Sequence, residues 1–236
     1  MKSSPSFALL GLLIFGLTFL SCAASPKTVE EFDKYWQDLY FTEKKPEQAK
    51  TFCERWLDHE TLSLQSQARA CLASIAVYEQ KENGFAPARA QVDAALKSDP
   101  QNFNLHLLRL NLDVYYQKDF ADDLENTFNA FPDAPAEEWL PPLDAWFKMQ
   151  EYPAIEQYLT LLDKRYPQNA DVLGHLGMIH FFQGDMESAE TLLSRGLALN
   201  PENVSLIWNL ARIFEIKNEN TKAKEASAKA ARSCRP

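Results

Sequence analysis

Apolar residues recur along this chain at spacings of three and four, the period of an amphipathic helix, with no alternating apolar run of the kind a half-buried strand would carry. VEEFDKYWQDLYF, residues 29–41, has one apolar face. PEQAKTFCERWLDHE follows at 46–60, with Pro46 at a helix start and the small Ala49 one turn on. The clearest pattern is ADVLGHLGMIHFFQGDMESAETLLSRGLALNPEN, residues 170–203. Leu173, Leu176 and His180 fall at i, i+3 and i+7 and share a face, and Leu192 and Leu193 give the apolar face of a second helix. Gly177 and Ala189 are small where two such helices would cross. Gly184 and Asp185 supply a turn, because glycine accepts a positive φ without steric cost. Pro201 closes the segment, since proline suits a first helical turn and cannot continue a helix.

The same small and large residues return at steps of 34. Adding 34 to Ala170 brings Leu210, Ala211, Phe214, Ala223 and Ala230 onto the corresponding positions. Subtracting 34 brings Trp139, Leu143, Trp146, Ile155, Leu159 and the closing Pro167. Farther back, Leu72, Ile75, Ala76, Ala88, Val92, Ala95 and Pro100 repeat the pattern, and YYQKDF at 115–120 parallels FFQGDM at 181–186. The segment resembles a tetratricopeptide repeat, a helix–turn–helix unit that stacks into solenoids because one unit cannot bury its apolar face alone. Leu173, His180 and Gly196 stand where that family often has Trp, Tyr and Ala. The resemblance implies an all-α, right-handed helical solenoid of about five to six helix pairs, with units near 29–62, 69–102, 103–135, 136–169, 170–203 and 204–236. About five residues around TLSLQ (61–65) exceed the period and lengthen a helix or a loop. Pro141 and Pro142 fall inside the first helix of the 136–169 unit. Either that helix kinks or restarts there, or Pro142 begins it and Glu137–Leu140 form a separate turn.

Composition narrows the class of partner. The chain has 236 residues, 46% apolar and 24% charged, with a formal charge of −9. An acidic chain is a poor match for nucleic acid, whose binding rests on neutralising phosphates. That also disfavours the similar RNA-reading pentatricopeptide unit. From Lys217 onward the balance reverses, with six Lys or Arg against two Glu. That segment either meets an acidic partner or anionic lipid, or is a solvated helix end whose cations suit the macrodipole.

The start of the chain reads as a leader over 1–21: Lys2, then FALLGLLIFGLTFL at 7–20, an apolar run of signal-peptide size and short for a membrane span. Leu20-Ser21-Cys22 ends it and resembles a bacterial lipobox, which implies acylation of Cys22 and a short linker over 22–28. Phe19 and Leu20 depart from the strict pattern, and the alternative is cleavage after Ala23 or Ala24 to leave a soluble protein. Of the later cysteines, Cys53 and Cys71 lie symmetrically about Leu62. They form either a disulfide between facing helices or two small buried thiols.

No nucleophile motif, phosphate loop or metal-binding histidine pair is present. His175 and His180 are five apart and do not share a face, and His59 and His106 are isolated. The expectation is a non-catalytic chain without cofactor or metal. For the family, the inner surface formed by the first helices binds the partner; mapped here, it carries Arg109, Tyr116, Asp144, Phe147, His175, Phe182, Asn209 and Arg212. Aromatic and arginine side chains are the types that dominate interfaces. Gly174 and Met178 occupy positions where the family's chaperone-carboxylate clamp needs Asn and Lys, so that mode is not supported. The resulting expectation is an interaction scaffold or assembly factor of a bacterial cell envelope. It would bind an envelope protein or peptide, hold the membrane only through its lipid, and face the periplasm, broadly like outer-membrane repeat lipoproteins. The alternative is a soluble periplasmic or secreted module accessory to an envelope enzyme.

Overall fold

The computed structural model describes residues 26–233, excluding the side chains of Lys81, Asp144, Ala145 and Ser233. The expected leader, the acylation at Cys22, and Cys234 lie outside the described residues. Those residues form twelve α-helices and no strand, an all-α chain as the repeat pattern implies, and they divide into two compact units at Asp133/Ala134.

The N-terminal unit begins with α1 (Val29–Gln37), capped by Thr28, whose hydroxyl accepts from the Glu31 amide at 3.2 Å. A π-helical turn (Asp38–Thr42) leads to α2 (Pro46–Glu54), which Pro46 opens. α3 (Leu62–Gln80) is 19 residues long and absorbs the extra TLSLQ residues as helix from Leu62 onward. Phe32, Trp36, Ala49, Leu64 and Ala68 form the first core around a disulfide between Cys53 and Cys71, whose Cα atoms are 6.3 Å apart. α4 (Phe85–Ser98), α5 (Phe103–Tyr115) and α6 (Ala121–Ala130) follow, α4 and α5 packed on α3 through Ala73, Val77, Ala88, Val92, Leu105 and Leu112.

The C-terminal unit opens with a 3-10 turn (Ala136–Trp139), and Pro142 then starts α7 (Pro142–Met149), which decides between the two readings of the proline pair. α8 (Tyr152–Arg165), α9 (Ala170–Gln183), α10 (Met186–Leu199), α11 (Val204–Ile216) and α12 (Asn220–Ser233) complete it. Its core holds Trp139 and Trp146 with Tyr158, whose hydroxyl donates to the Trp139 carbonyl at 2.7 Å. A Cβ on Gly177 would lie 2.8 Å from Leu193, and one on Gly174 would lie 2.6 Å from Leu206. The two glycines therefore let α9 approach α10 and α11 more closely than alanine would permit.

The repeat is written in the backbone as well as in the side chains. Gln117, Gln150, Gly184 and Asn218 all have positive φ, at steps of 33, 34 and 34 residues. After each comes the same five-residue back-bond: Lys118 to Asp113 O, Glu151 to Trp146 O, Asp185 to His180 O and Glu219 to Phe214 O, at 2.7–3.2 Å. This is the Schellman closure, which satisfies a carbonyl that the end of a helix leaves open. Between pairs, Asn169 caps α9 and reaches Glu137 at 3.2 Å, while Asn203 caps α11 and reaches Asp171 at 3.1 Å, one repeat later.

Candidate functional site

In the C-terminal unit, α7, α9 and α11 bring four of the expected groove residues into one run of contacts. The ring of Phe147 on α7 lies 6.2 Å from His175 and 6.1 Å from Phe182, both on α9. Phe182 also stacks on Tyr152 of α8, 5.7 Å away and within 5° of parallel. The Schellman turn at Gln150 delivers Tyr152 to that place, at the first residue of α8. Phe181 stands edge-on to Phe182 at 5.6 Å, and the Arg212 guanidinium on α11 lies 5.2 Å from the Phe181 ring centre. This is a cation–π distance, the face of the ring attracting the positive charge. Asn209, one turn before Arg212, is half-buried. The side chain of Asp144 is not among those described.

Apolar exposure is high on this surface, as it also is at Tyr35, Phe41 and Leu62 of the N-terminal unit. Phe182 is 47% exposed, and two apolar side chains on α11 are as open: Trp208 at 45% and Ile216 at 53%. Single exposed apolar residues need no explanation, but several gathered on two adjacent helices do. Phe182 and Ile216 are one repeat apart and so occupy equivalent places on α9 and α11. Arg212 is exposed and, among the described residues, has no carboxylate partner. Trp208 and Tyr152 did not enter the sequence-derived groove. A signal for Trp208 was available, since it lies 34 residues after Gly174, a position already recognised as groove-forming in the family.

Arg109 and Tyr116 belong to the N-terminal unit, where they serve internal contacts. Tyr116 packs on Phe85 at 5.4 Å and on Tyr115 at 4.8 Å, and burial pushes its hydroxyl up to about 12. Arg109 pairs with Asp123 on α6 at 3.1 Å. Asp123 in turn shares Arg89 of α4 with Asp113 of α5, and Arg89 also reaches Asp93 at 3.1 Å. Asp113 is 1% exposed. Burial raises its carboxyl to about 7 with the help of nearby Asp123, against the opposing pull of Arg89. Burial pulls the Arg89 guanidinium down, yet Asp113 and Asp123 together hold it above its usual range. The two shifts pull the Arg89–Asp113 pair in opposite senses. The geometry favours an arginine held charged between two carboxylates, of which the deeper one takes a proton first.

The rest of the titratable chemistry is structural. His106, 8% exposed, contacts the Pro100 carbonyl at 3.0 Å and Thr127 at 3.3 Å, and burial lowers its pKa. His180 lies 3.4 Å from Asp185. Of the basic C-terminal stretch, Lys217 is bound to Glu190 and Glu219, and Lys222 to Glu219 at 2.6 Å. Among the described residues no group of acidic, His or Cys side chains is arranged to hold a metal ion, and no helix is long and apolar enough to cross a membrane.

Residues 147–213, which contain most of the aromatic run and the α9–α11 face, match the tetratricopeptide repeat family. That segment thus carries the tetratricopeptide repeat, a fold of protein-interaction scaffolds. No curated protein matches the chain in sequence. Among solved structures, MamA is 19% identical with a TM-score of 0.47, over 67% of this chain and 94% of its own. PilF of Pseudomonas aeruginosa is 14% identical with a TM-score of 0.45, over 71% and 77%. YrrB, described as a repeat protein with an unusual peptide-binding site, is 15% identical with a TM-score of 0.44, over 77% and 92%.

Proposed function

We propose that this tetratricopeptide-repeat chain is a non-catalytic scaffold that binds a protein or peptide partner on the α9–α11 face of its C-terminal unit. The observation that carries this reading is the joint exposure of Phe182, Trp208 and Ile216 beside Arg212, which has no carboxylate partner among the described residues. Aromatic and arginine anchors surrounded by apolar surface are what interface hot spots are made of. The aromatic stack from Phe147 through Phe182 to Tyr152 keeps that surface rigid, which lowers the entropy lost on binding. Phe182→Ala and Arg212→Ala are expected to weaken retention of a partner crosslinked in intact cells by roughly thirtyfold each, about 2 kcal/mol. Their melting temperatures should stay close to that of the parent. If both variants melt markedly lower and keep the partner, these side chains are packing residues and the reading fails.

The scaffold works, on this proposal, at a bacterial cell envelope, held to the membrane through acylated Cys22 and facing the periplasm as an assembly factor. Supporting it are the apolar run that ends at Cys22 and the Cys53–Cys71 disulfide, which belongs to an oxidising compartment. Lipoprotein modification supplies two or more acyl chains, enough for stable attachment where one alone is marginal. Cys22→Ala is therefore expected to move the protein from the membrane pellet to the soluble fraction. A parent protein already soluble without detergent would end the lipid-anchor reading.

A further inference from the structure

We infer that the α9–α11 face is built for an extended peptide with the order apolar, any, acidic, any, apolar. This deepens the scaffold reading above and rests on it. Trp208, Arg212 and Ile216 are successive i, i+4 residues of α11, and all three are exposed. Helical rise places them about 6 Å apart along the axis, in the order aromatic, cation, aliphatic. In an extended chain, side chains on one side recur every two residues, about 6.7 Å apart. The two spacings agree to within an ångström per step, so one strand laid along α11 sets an apolar side chain against Trp208, a carboxylate against Arg212 and a second apolar side chain against Ile216.

Charge selects the central residue. The chain is strongly acidic, yet the cation at the middle of this face has no carboxylate partner among the described residues. Its guanidinium lies 5.2 Å from the Phe181 ring centre, a cation–π contact, and the planar fork of a guanidinium is the shape that carboxylates fit. Glu215 is also exposed, but it lies about 60° around α11 from Arg212. Arg212 leans toward α9, where Phe181 stands, while Glu215, about 20° around the helix from Trp208, borders the strip on its far side and makes no ion pair with Arg212 among the described residues. Phe182, equivalent to Ile216 one repeat earlier and 47% exposed, offers further apolar surface on α9.

Affinity selection of a random nonapeptide phage library on the full chain tests this directly. The expected outcome is enrichment of peptides with Asp or Glu flanked by apolar residues two places to each side. Their binding, measured by fluorescence anisotropy of the labelled peptides, should fall about tenfold or more in Arg212→Ala and be lost in Trp208→Ala. Arg212→Glu should turn the selection toward Lys or Arg at the central position, an outcome that a purely structural role of Arg212 cannot produce. Thermal melting of each exposed-site variant controls for folding. Enriched peptides that need Trp208 and Phe182 but show no central acid, or ignore the charge reversal, overturn the peptide class and leave the scaffold reading standing. Enriched peptides that bind all the variants equally overturn both. An empty selection overturns the peptide class, and the crosslinked partner then judges the scaffold reading separately.

Discussion

Replacing Arg89 with methionine is expected to destabilise the N-terminal unit by about 3–5 kcal/mol at alkaline pH, with a clearly smaller loss near pH 5. Arg89 ties α4 to both α5 and α6, through Asp113 and Asp123. Methionine fills much of the same volume, so the loss is chiefly that of the charge. What remains is Asp113, 1% exposed, with no cation against it and one oxygen that already lacks a hydrogen-bond partner. An uncompensated buried carboxylate is costly, and its way out is to take a proton.

The pH dependence follows from the direction of the shift. The folded-state pKa of Asp113 is raised to about 7 from 3.8, so between those values the folded chain binds a proton that the unfolded chain does not. The contribution of this group to stability is therefore greatest below the unfolded pKa and is lost as pH rises through the folded one. Removing Arg89 takes away the only large influence that holds the carboxyl down. The neutral form then persists to higher pH, and the cost concentrates where protons are scarce. Urea unfolding near pH 5 and pH 8.5, with amide exchange of α4–α6 to localise the change, checks this. In the parent background Asp113→Asn should flatten the dependence across this window. An equal loss for Arg89→Met at both pH values would show that packing, not charge, is what Arg89 contributes.

The second large effect is expected at the disulfide. Cys53 and Cys71 are 18 residues apart, and cross-linking a loop of that length removes conformational freedom from the unfolded chain worth about 3 kcal/mol. Cys53→Ala combined with Cys71→Ala should cost about that amount, because alanine leaves little cavity at two sites that are 0% and 1% exposed. Since the sulfurs are enclosed by Phe32, Ala49 and Leu72, a reductant should have little effect on the native protein and a large one after unfolding. The α1–α3 core should loosen first, since α1 and α2 are short and share that single cluster with α3. A double variant that melts within a degree or two of the parent would show that the bridge is dispensable to the fold.

The helices were legible because burial on a helix demands a period that composition cannot hide. Leu173, Leu176 and Leu193 announce their faces, and Gly177 against Ala189 announces the crossing, since only small residues let two backbones approach so closely. Gly184 could be read as a turn, but the same positive φ at Gln117, Gln150 and Asn218 could not. Asn218 accepts that conformation readily, whereas at Gln117 and Gln150 the Schellman closure imposes it on residues that do not prefer it. The proline pair at 141–142 left two readings open because either satisfies local stereochemistry, and the packing of Trp139 and Trp146 selected the helix start at Pro142.

The candidate surface divides in the same way. Repeat position alone marks Phe147, His175, Phe182, Asn209 and Arg212 as belonging to the first helices, because position in a repeat is a property of the sequence. It equally marks Arg109 and Tyr116, whose partners come from residues 14 to 31 positions away: Asp123 for Arg109 and Phe85 for Tyr116. Whether a side chain at such a position faces solvent or a neighbour depends on what the adjoining helix presents to it. The equivalent places 174 and 208 make the point, since a glycine at one closes against Leu206 and a tryptophan at the other stands 45% exposed. By itself the sequence determined the helical repeat and the side chains it carries, because periodic burial is encoded residue by residue. Only the tertiary structure decided which of those side chains remain open, because exposure is settled by the distances between helices, and no single repeat contains them.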